Sequence, residues 1–356
     1  MNDIELGLDT FGDLTMDDAG QPHSHAQVLR QVIEQAVLAD QVGLAFFGVG
    51  EHHRRDFAIS APEVVLAAIA GRTSRIHLGS SVTVLSTDDP VRVFERFSTL
   101  NALSHGRAEV IVGRGSFTES FPLFGFDLQQ YDLLSQERTD LFAALVTRQP
   151  VTWSGRTRSP LRDQMVFPPI EPGGTLRVWM GVGGTPASVA RAAQYNFPLM
   201  LAIIGGSARR FVPYVDLFYR SLAEAGRERL PIGAHSPGHV AETDDRAREE
   251  LWPHYAALMT RIGAERGWPP VTRAQFNREA GSDGALYVGS PETVATKIAA
   301  TIQTLGLSRF DMKYSNGPLP HLTQMTSIEL YGTRVAPRVR TLLEAAGYEA
   351  GVIHTA

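Results

Sequence analysis

Strand-like and helix-like segments alternate eight times along the 356 residues, and that count predicts an α/β fold of the (β/α)8, or TIM-barrel, class with insertions. The length agrees, because α/β barrels commonly run past about 250 residues without dividing. No short-period repeat or low-complexity tract competes with the pattern. A doubly wound sheet would show the same alternation, so closure of the barrel is for the structure to decide. One domain over 1–356 is expected, with irregular excursions at about 117–130, 150–176 and 264–289.

The first strand is read from Ile4 to Phe11, and a polar loop holding Asp17, Asp18, Ala19 and Gly20 follows. Leu29, Val32, Ile33, Ala36 and Ala39 then recur at helical spacing up to Gly43, a natural C-cap. Phe46 to Gly50 is the second strand, and Pro62 to Gly71 bounds a short apolar helix. Ile76 to Leu85, rich in β-branched residues, reads as one continuous third strand. Asp89-Pro90 supplies an N-cap and a proline at the first helical position, ahead of a helix with Phe94, Phe97, Leu100 and Leu103 on one face.

The fourth strand runs from Ala108 to Val112, and its helix from Tyr131 to Arg148. Strands at Arg177–Val182 and Pro198–Ile204 bracket a helix from Pro186 to Tyr195, and Phe211 to Ala225 is helical. Ile232 to Glu242 is the seventh strand, with Asp244-Asp245 expected to cap a helix ending near Gly263. Ser290-Pro291-Glu292 is a further helix start, with N-cap, proline and a dipole-favourable acid in order. Phe310 to Tyr314 is the last strand, and Ile328 to Ala346 the closing helix.

Composition narrows the function classes. The chain is 43% hydrophobic and 20% charged with a net charge of -5, and the absence of any basic run argues against nucleic acid as a partner. There is no cysteine, so disulfides, thiolate metal sites and a cysteine nucleophile all fall away. No apolar run approaches the ~18 residues of a membrane span. The acidic start Met1-Asn2-Asp3-Ile4-Glu5 runs directly into a strand pattern, so no N-terminal signal is expected. A cytoplasmic, enzyme-sized protein is expected.

In a barrel, function sits where strands end and helices begin. Four such junctions carry unusual chemistry. The second strand ends abruptly in Glu51-His52-His53, a cluster that would need several buried partners unless it lines a site; a helix cap with one satisfied histidine is the alternative. Adjacent histidines on an extended chain diverge, and no third ligand has convincing spacing, so no metal is expected. The third strand contains Gly79-Ser80-Ser81-Val82-Thr83, where small hydroxyl residues invite something flat against the backbone, or alternate on a half-exposed strand. Gly113-Arg114-Gly115-Ser116 places a fixed positive charge at a strand end, suited to a phosphate or carboxylate, or to a surface ion pair.

The fourth junction is Gly181-Val182-Gly183-Gly184-Thr185-Pro186-Ala187-Ser188, a glycine turn leading into a helix. Its backbone N–H groups and two hydroxyls converge as an anion site does. Pro186 stands where a dinucleotide-binding fingerprint wants its third glycine, and the turn follows the fifth strand instead of the first. Charge-assisted hydrogen bonds contribute roughly 1.5–3 kcal/mol each, so Arg114 and a few loop donors supply much of the ~8 kcal/mol of a micromolar ligand. A ligand with a phosphate at one end and a flat ring at the other fits all four junctions.

These junctions make the chain resemble the bacterial-luciferase-like family of flavin-dependent monooxygenases. The matching pieces are Glu51-His52-His53, Leu78-Gly79-Ser80-Ser81-Val82, Asp89-Pro90-Val91-Arg92 and Leu103-Ser104-His105-Gly106-Arg107. Gly113-Arg114-Gly115 with Phe124-Gly125, then Gly183-Gly184-Thr185 and Val288-Gly289-Ser290-Pro291-Glu292, complete a series reaching from about Ile4 to Leu343. The resemblance implies a barrel that binds FMN, commonly in a homodimer, with His52 at the reactive edge of the ring. It implies a non-proline cis peptide at Ser81-Val82 under that ring. Arg114, Gly115, Gly183, Gly184, Thr185 and Ser188 would take the phosphate.

It further implies reduced FMN supplied by a separate NAD(P)H:flavin reductase, and O2 activated as a peroxyflavin to oxidise a small-molecule substrate. Hydride transfer with the deazaflavin F420 is the alternative on the same fold, and a non-catalytic flavin-binding protein a more distant one. Gly113 stands where luciferase has a cysteine, and Gly184 where it has a glutamate, which sets light emission and a long-chain aldehyde apart from the expectation. His235 and His239 on the seventh strand match nothing in the family pattern. One of them faces the substrate or both pack in the barrel.

Overall fold

The computed structural model describes residues 4–17, 19–115 and 117–351; Asp18 and Ser116 lie outside the described residues. Eight parallel strands form the barrel: β1 (Glu5–Thr10), β2 (Phe46–Val49), β3 (His77–Ser80), β4 (Ala108–Gly113), β5 (Arg177–Val182), β6 (Leu199–Ala202), β7 (Ile232–Val240) and β8 (Arg309–Lys313). Each pairs with the next, and β8 pairs with β1 with Leu6 opposite Phe310, so the sheet closes on itself. Closure decides against the doubly wound alternative.

The period-two alternation of a strand divides its side chains between two cores. Leu6, Leu8, Phe47, Val49, Leu78, Val110, Val112, Val178 and Met180 belong to the large core under the surrounding helices. Phe46, Ile111, Trp179 and Met200, each next in sequence to one of those strands' outward residues, form a separate cluster inside the barrel. The continuously apolar strands are the consequence of burial on both faces.

Below that inner cluster the barrel is filled with charge. Arg309 is fully buried, with its guanidinium 3.5 Å from the centroid of the Phe46 ring. It donates to Glu109 Oε2 at 2.6 Å and to both oxygens of Asp311. Trp179 Nε1 donates to Glu109 at 3.1 Å, and Arg177 lies 2.7 Å from its other oxygen. Burial alone would push Glu109 up, but Arg309, His77 and Arg177 together hold its pKa at about 2.

Capping follows the sequence signals at several helices. Ser24 accepts from Gln27 N–H, Asp89 from Val91 N–H at 2.8 Å and Ser290 from Thr293 N–H. The Pro186–Tyr195 helix has the limits expected of it. Other expectations need correction. The third strand is not continuous: it breaks at a cis peptide bond between Ser81 and Val82, and resumes as Thr83–Val84 paired to the end of β4. Leu103 is 62% exposed, because it falls in the last turn of its helix (Pro90–Leu103), away from the stripe of Phe94, Phe97 and Leu100.

Thr243, not Asp244, caps the helix Asp244–Arg266, which runs three residues beyond Gly263 to a left-handed Gly267. Asp244 is drawn off to accept from Ser290 N–H at 2.6 Å and the Thr293 hydroxyl at 3.0 Å. The closing helix starts earlier than Ile328, at His321, and passes through a π turn at Tyr331–Val335. The excursions are also more regular than their composition implies. Within 150–176 an antiparallel pair forms (Val151–Trp153 with Leu161–Gln164), and within 264–289 lie the helix Arg273–Glu279 and a strand Tyr287–Gly289 that extends β7.

Glu109→Gln leaves Arg309 buried with one carboxylate fewer, and breaking a buried pair of this kind costs about 3–5 kcal/mol. A lower urea midpoint by that equivalent is expected. In the wild type the lowered pKa makes Glu109's contribution complete above the ordinary carboxylate range and lost as pH falls towards about 2. An acid-unfolding midpoint unchanged by Glu109→Gln would contradict this.

Candidate active site

The C-terminal ends of the strands gather the four junctions on one face of the barrel, as the fold requires. His52 follows β2 and is held by its backbone, whose N–H donates to Ile59 O at 2.9 Å. Its ring sits in an aromatic shell: Phe57 stacks at 4.5 Å, while Phe11 and Phe117 meet it edge-on at 4.8 and 5.0 Å. The side chain keeps 10% exposure, and its Nδ1 lies 3.5 Å from Glu119 Oε1. Burial works to raise the Glu119 pKa, but the His52 contact and the Arg54 charge outweigh it and hold the carboxyl low.

His53 diverges from His52, as adjacent residues on an extended chain do. Its Nε2 lies 2.9 Å from Glu51 Oε1, and its ring meets Phe124 edge-on at 4.9 Å. The Glu51 hydrogen bond raises the His53 pKa against the opposing effect of burial. Glu51 Oε2 also accepts from Val84 N–H at 3.0 Å. One carboxylate thus ties the loop after β2 to the chain just past the cis bond. Glu51-His52-His53 is therefore two arrangements, a supported imidazole (His53) and one turned into the barrel mouth (His52).

Val82 turns inward. A Cβ on Gly113 would stand 2.7 Å from Val82 Cγ2, and one on Gly181 3.1 Å from its Cγ1, so both strands need glycine for Val82 to fit. That is a steric reason for Gly113 that sequence chemistry alone could not give.

Parallel pairing of Val112 with Met180 brings the tops of β4 and β5 side by side, and so carries Arg114 to the level of Val182 and the glycine turn after it. Arg114 packs over the Tyr131 ring at 4.4 Å. Tyr131 OH donates to the carbonyls of Arg114 and Gly115 at 2.9 and 3.2 Å, which fixes the arginine's backbone. The guanidinium donates to Asp132 at 2.6 Å, but Asp132 is 84% exposed and such a pair is weak. Its Nε is buried and has no hydrogen-bond partner among the described residues.

On the neighbouring strand, Gly183 faces open space and Gly184 adopts φ +116°, a conformation that favours glycine. Tyr214 OH donates to Gly184 O at 2.7 Å and Thr185 Oγ1 lies 2.7 Å from Ser188 Oγ, ahead of the helix from Pro186. An orphaned buried N–H donor, an open glycine turn, two hydroxyls and a helix N-terminus are the donor set a phosphate takes. The residues present fit the phosphate of a flavin nucleotide.

Several residues at the mouth were not singled out by the sequence. Glu119 lies 67 positions from His52, and Phe11, Phe57 and Phe117 look like ordinary core or loop aromatics until the barrel closes. His235 faces inward, with Nδ1 2.5 Å from Asp9 Oδ2. His239 instead pairs through Nε2 with Glu250 at 2.8 Å and is fully buried. The end of the Asp244–Arg266 helix leans across the mouth: Arg54 pairs with Glu265 at 2.8 Å, Arg261 lies 2.9 Å from Asp56, and Arg54 and Arg266 both cover the Phe117 ring.

The chain belongs to the luciferase-like monooxygenase family, whose model matches residues 10–309. It is 32% identical to the uncharacterized protein y4vJ of Sinorhizobium fredii over 91% of this chain and 95% of that one. It is 30% identical to the 4-hydroxyprotoasukamycin monooxygenase of Streptomyces nodosus subsp. asukaensis over 67% of this chain and 66% of that one. Among solved structures, monooxygenase RslO1 from Streptomyces bottropensis superposes with a TM-score of 0.80 at 20% identity, covering 94% of this chain and 99% of that one. The oxygenating constituent of 3,6-diketocamphane monooxygenase from Pseudomonas putida, in complex with FMN, gives 0.76 at 18% identity over 95% and 99%. An F420-dependent secondary alcohol dehydrogenase gives 0.73 at 16% identity over 95% and 99%. The fold thus has FMN-dependent and F420-dependent neighbours, and the family membership marks the protein as a flavin-dependent oxidoreductase of the monooxygenase type.

Glu51→Gln removes the charge that raises the His53 pKa. The His53 titration followed by NMR is expected to move down, towards or below the ordinary histidine range, because burial is then unopposed by that carboxylate. An unmoved titration would show that Glu51 does not set it.

Proposed function

We propose that the protein is an FMN-dependent monooxygenase that takes reduced FMN from a separate NAD(P)H:flavin reductase and uses O2 to oxidise a small organic substrate. The observation that carries this reading is the Nε of Arg114, buried and without a partner among the described residues, on the strand next to the open Gly183-Gly184 turn. Arg114, Gly115, Gly183, Gly184, Thr185 and Ser188 would hold the phosphate, and Ser81 and Val82 would support the ring. Reduced FMN, when bound, supplies the two electrons by which one atom of O2 enters the substrate and the other leaves as water.

The protein's own part is positioning, shielding and proton handling. Phe11, Phe57 and Phe117 keep water from His52, and Glu119 offers its ring a proton partner at 3.5 Å. His52 is the acid/base group of this reading. One barrel domain carries both cofactor and substrate, in a cytoplasmic homodimer working beside its reductase. Named relatives such as the Streptomyces nodosus enzyme are monooxygenases, which favours FMN and O2 over hydride transfer with F420. Titration with both cofactors separates the two, and tight binding of F420 without FMN would reverse the choice.

Two variants test the division of labour. Arg114→Ala should weaken reduced-FMN binding roughly 10- to 100-fold, the equivalent of one charge-assisted hydrogen bond. His52→Ala should leave that affinity within about twofold while coupled substrate oxidation falls by about two orders of magnitude and hydrogen peroxide appears instead. Coupled turnover at the wild-type rate in His52→Ala would remove His52 from the chemistry.

A further inference from the structure

Within the barrel mouth a second imidazole stands ready for proton transfer. His235 and Asp9 lie on β7 and β1, with β8 between them, and meet at 2.5 Å between Nδ1 and Oδ2. An ionised carboxylate only accepts, so in a neutral imidazole paired with it the hydrogen sits on Nδ1 and Nε2 keeps its lone pair. Among the described residues nothing hydrogen-bonds Nε2. The side chain keeps 10% exposure, the same as His52.

Lys313, opposite Asp9 in register, is engaged elsewhere, with Asp13 and Ser315, so it does not take Asp9 from His235. Phe11 stands between the two imidazoles, 4.8 Å from the His52 ring and 6.3 Å from that of His235, lying within 17° of the latter's plane. The two histidines therefore share one aromatic neighbour at the barrel mouth.

We infer that His235, held by Asp9, is the proton acceptor for the substrate, and that the substrate is a flat compound with an ionisable hydroxyl, a phenol or stabilised enol. This rests on the monooxygenase reading above. Phe11, Phe57 and Phe117 give the mouth the aromatic walls a ring requires, and the dyad supplies the base that an ionisable hydroxyl requires. The step assigned to His235 is proton transfer alone. The substrate O–H bond breaks, an N–H bond forms at Nε2, and the electron pair stays on the substrate oxygen. Delocalised into the ring, that pair enriches the ortho and para carbons, where an oxygen atom is to be added. Asp9 is a positioning residue that fixes the tautomer and stabilises the imidazolium.

The test uses 4-nitrophenol, whose ionised form absorbs in the visible where the neutral form does not. It is titrated into the FMN-loaded protein about one pH unit below the probe's own pKa, where roughly a tenth is ionised in solution. The wild type is expected to bind it mainly as the phenolate. His235→Gln should bind it in neutral form or at least about tenfold more weakly, and Asp9→Asn should act in the same direction by releasing the tautomer. FMN affinity, read by flavin fluorescence, should stay within about twofold in both variants, which also shows that they are folded. A wild type that binds the probe only as the neutral phenol, or not at all, overturns the inference. So do variants that bind and ionise it as the wild type does. Repeating the titration without flavin separates the two proposals: phenolate binding that persists while FMN fails to bind sinks the cofactor reading and leaves the dyad standing.

Discussion

The barrel is held in one arrangement by a positive charge that has nowhere else to go. Arg309 projects from β8 into the closed interior, and its partners come from β4 (Glu109) and from its own strand (Asp311). An arginine with no exposure cannot be left with an empty side, because an uncompensated buried guanidinium costs several kcal/mol. Only a closed barrel brings Glu109 across to it. The pairing does little for net stability compared with an apolar filling of equal volume, but it penalises any slip of register that separates β4 from β8.

That floor leaves the opposite end free for function. The inner apolar cluster of Phe46, Ile111, Trp179 and Met200 separates the charged layer from the mouth. Above it the inward positions turn small or polar: Gly48, Gly113 and Gly181 on one side, Asp9 and His235 on the other. The missing side chains on the glycine side are what admit Val82, and the polar side is where protons can be held. The asymmetry of the mouth follows from which strands carry glycine.

Much of this was legible in the sequence where the signal is local. A proline after an N-cap aspartate fixes the start of the helix at Pro90, and a glycine turn before Pro186 marks a helix start. An apolar strand ending in Glu51-His52-His53 marks the mouth, since those groups could not be buried unpaired. What local patterns could not show are the partners brought by closure. Asp9 and His235 are 226 residues apart, Thr10 and Ser315 305 apart, and nothing in either segment identifies the other. The break in the third strand escapes periodicity because neither a proline nor a charged residue interrupts Ile76 to Leu85. Two acids follow Thr243 and mask it as a cap, yet the first of them, Asp244, serves a different helix start.

The two imidazoles of the mouth show why residue type alone does not assign a role. His52 and His235 have equal exposure and share Phe11 as a neighbour. They differ in what stands behind them. His52 has a carboxylate at 3.5 Å, the long limit of a hydrogen bond, among three aromatic rings. His235 has one at 2.5 Å, which engages Nδ1 and leaves Nε2 with no partner among the described residues. A loosely held imidazole suits a group that must both give and take a proton during oxygen chemistry. A locked one suits a group that takes a proton from a single direction. The supporting carboxylates, Glu119 from a loop and Asp9 from a barrel strand, are as different in setting as the two tasks proposed for the imidazoles.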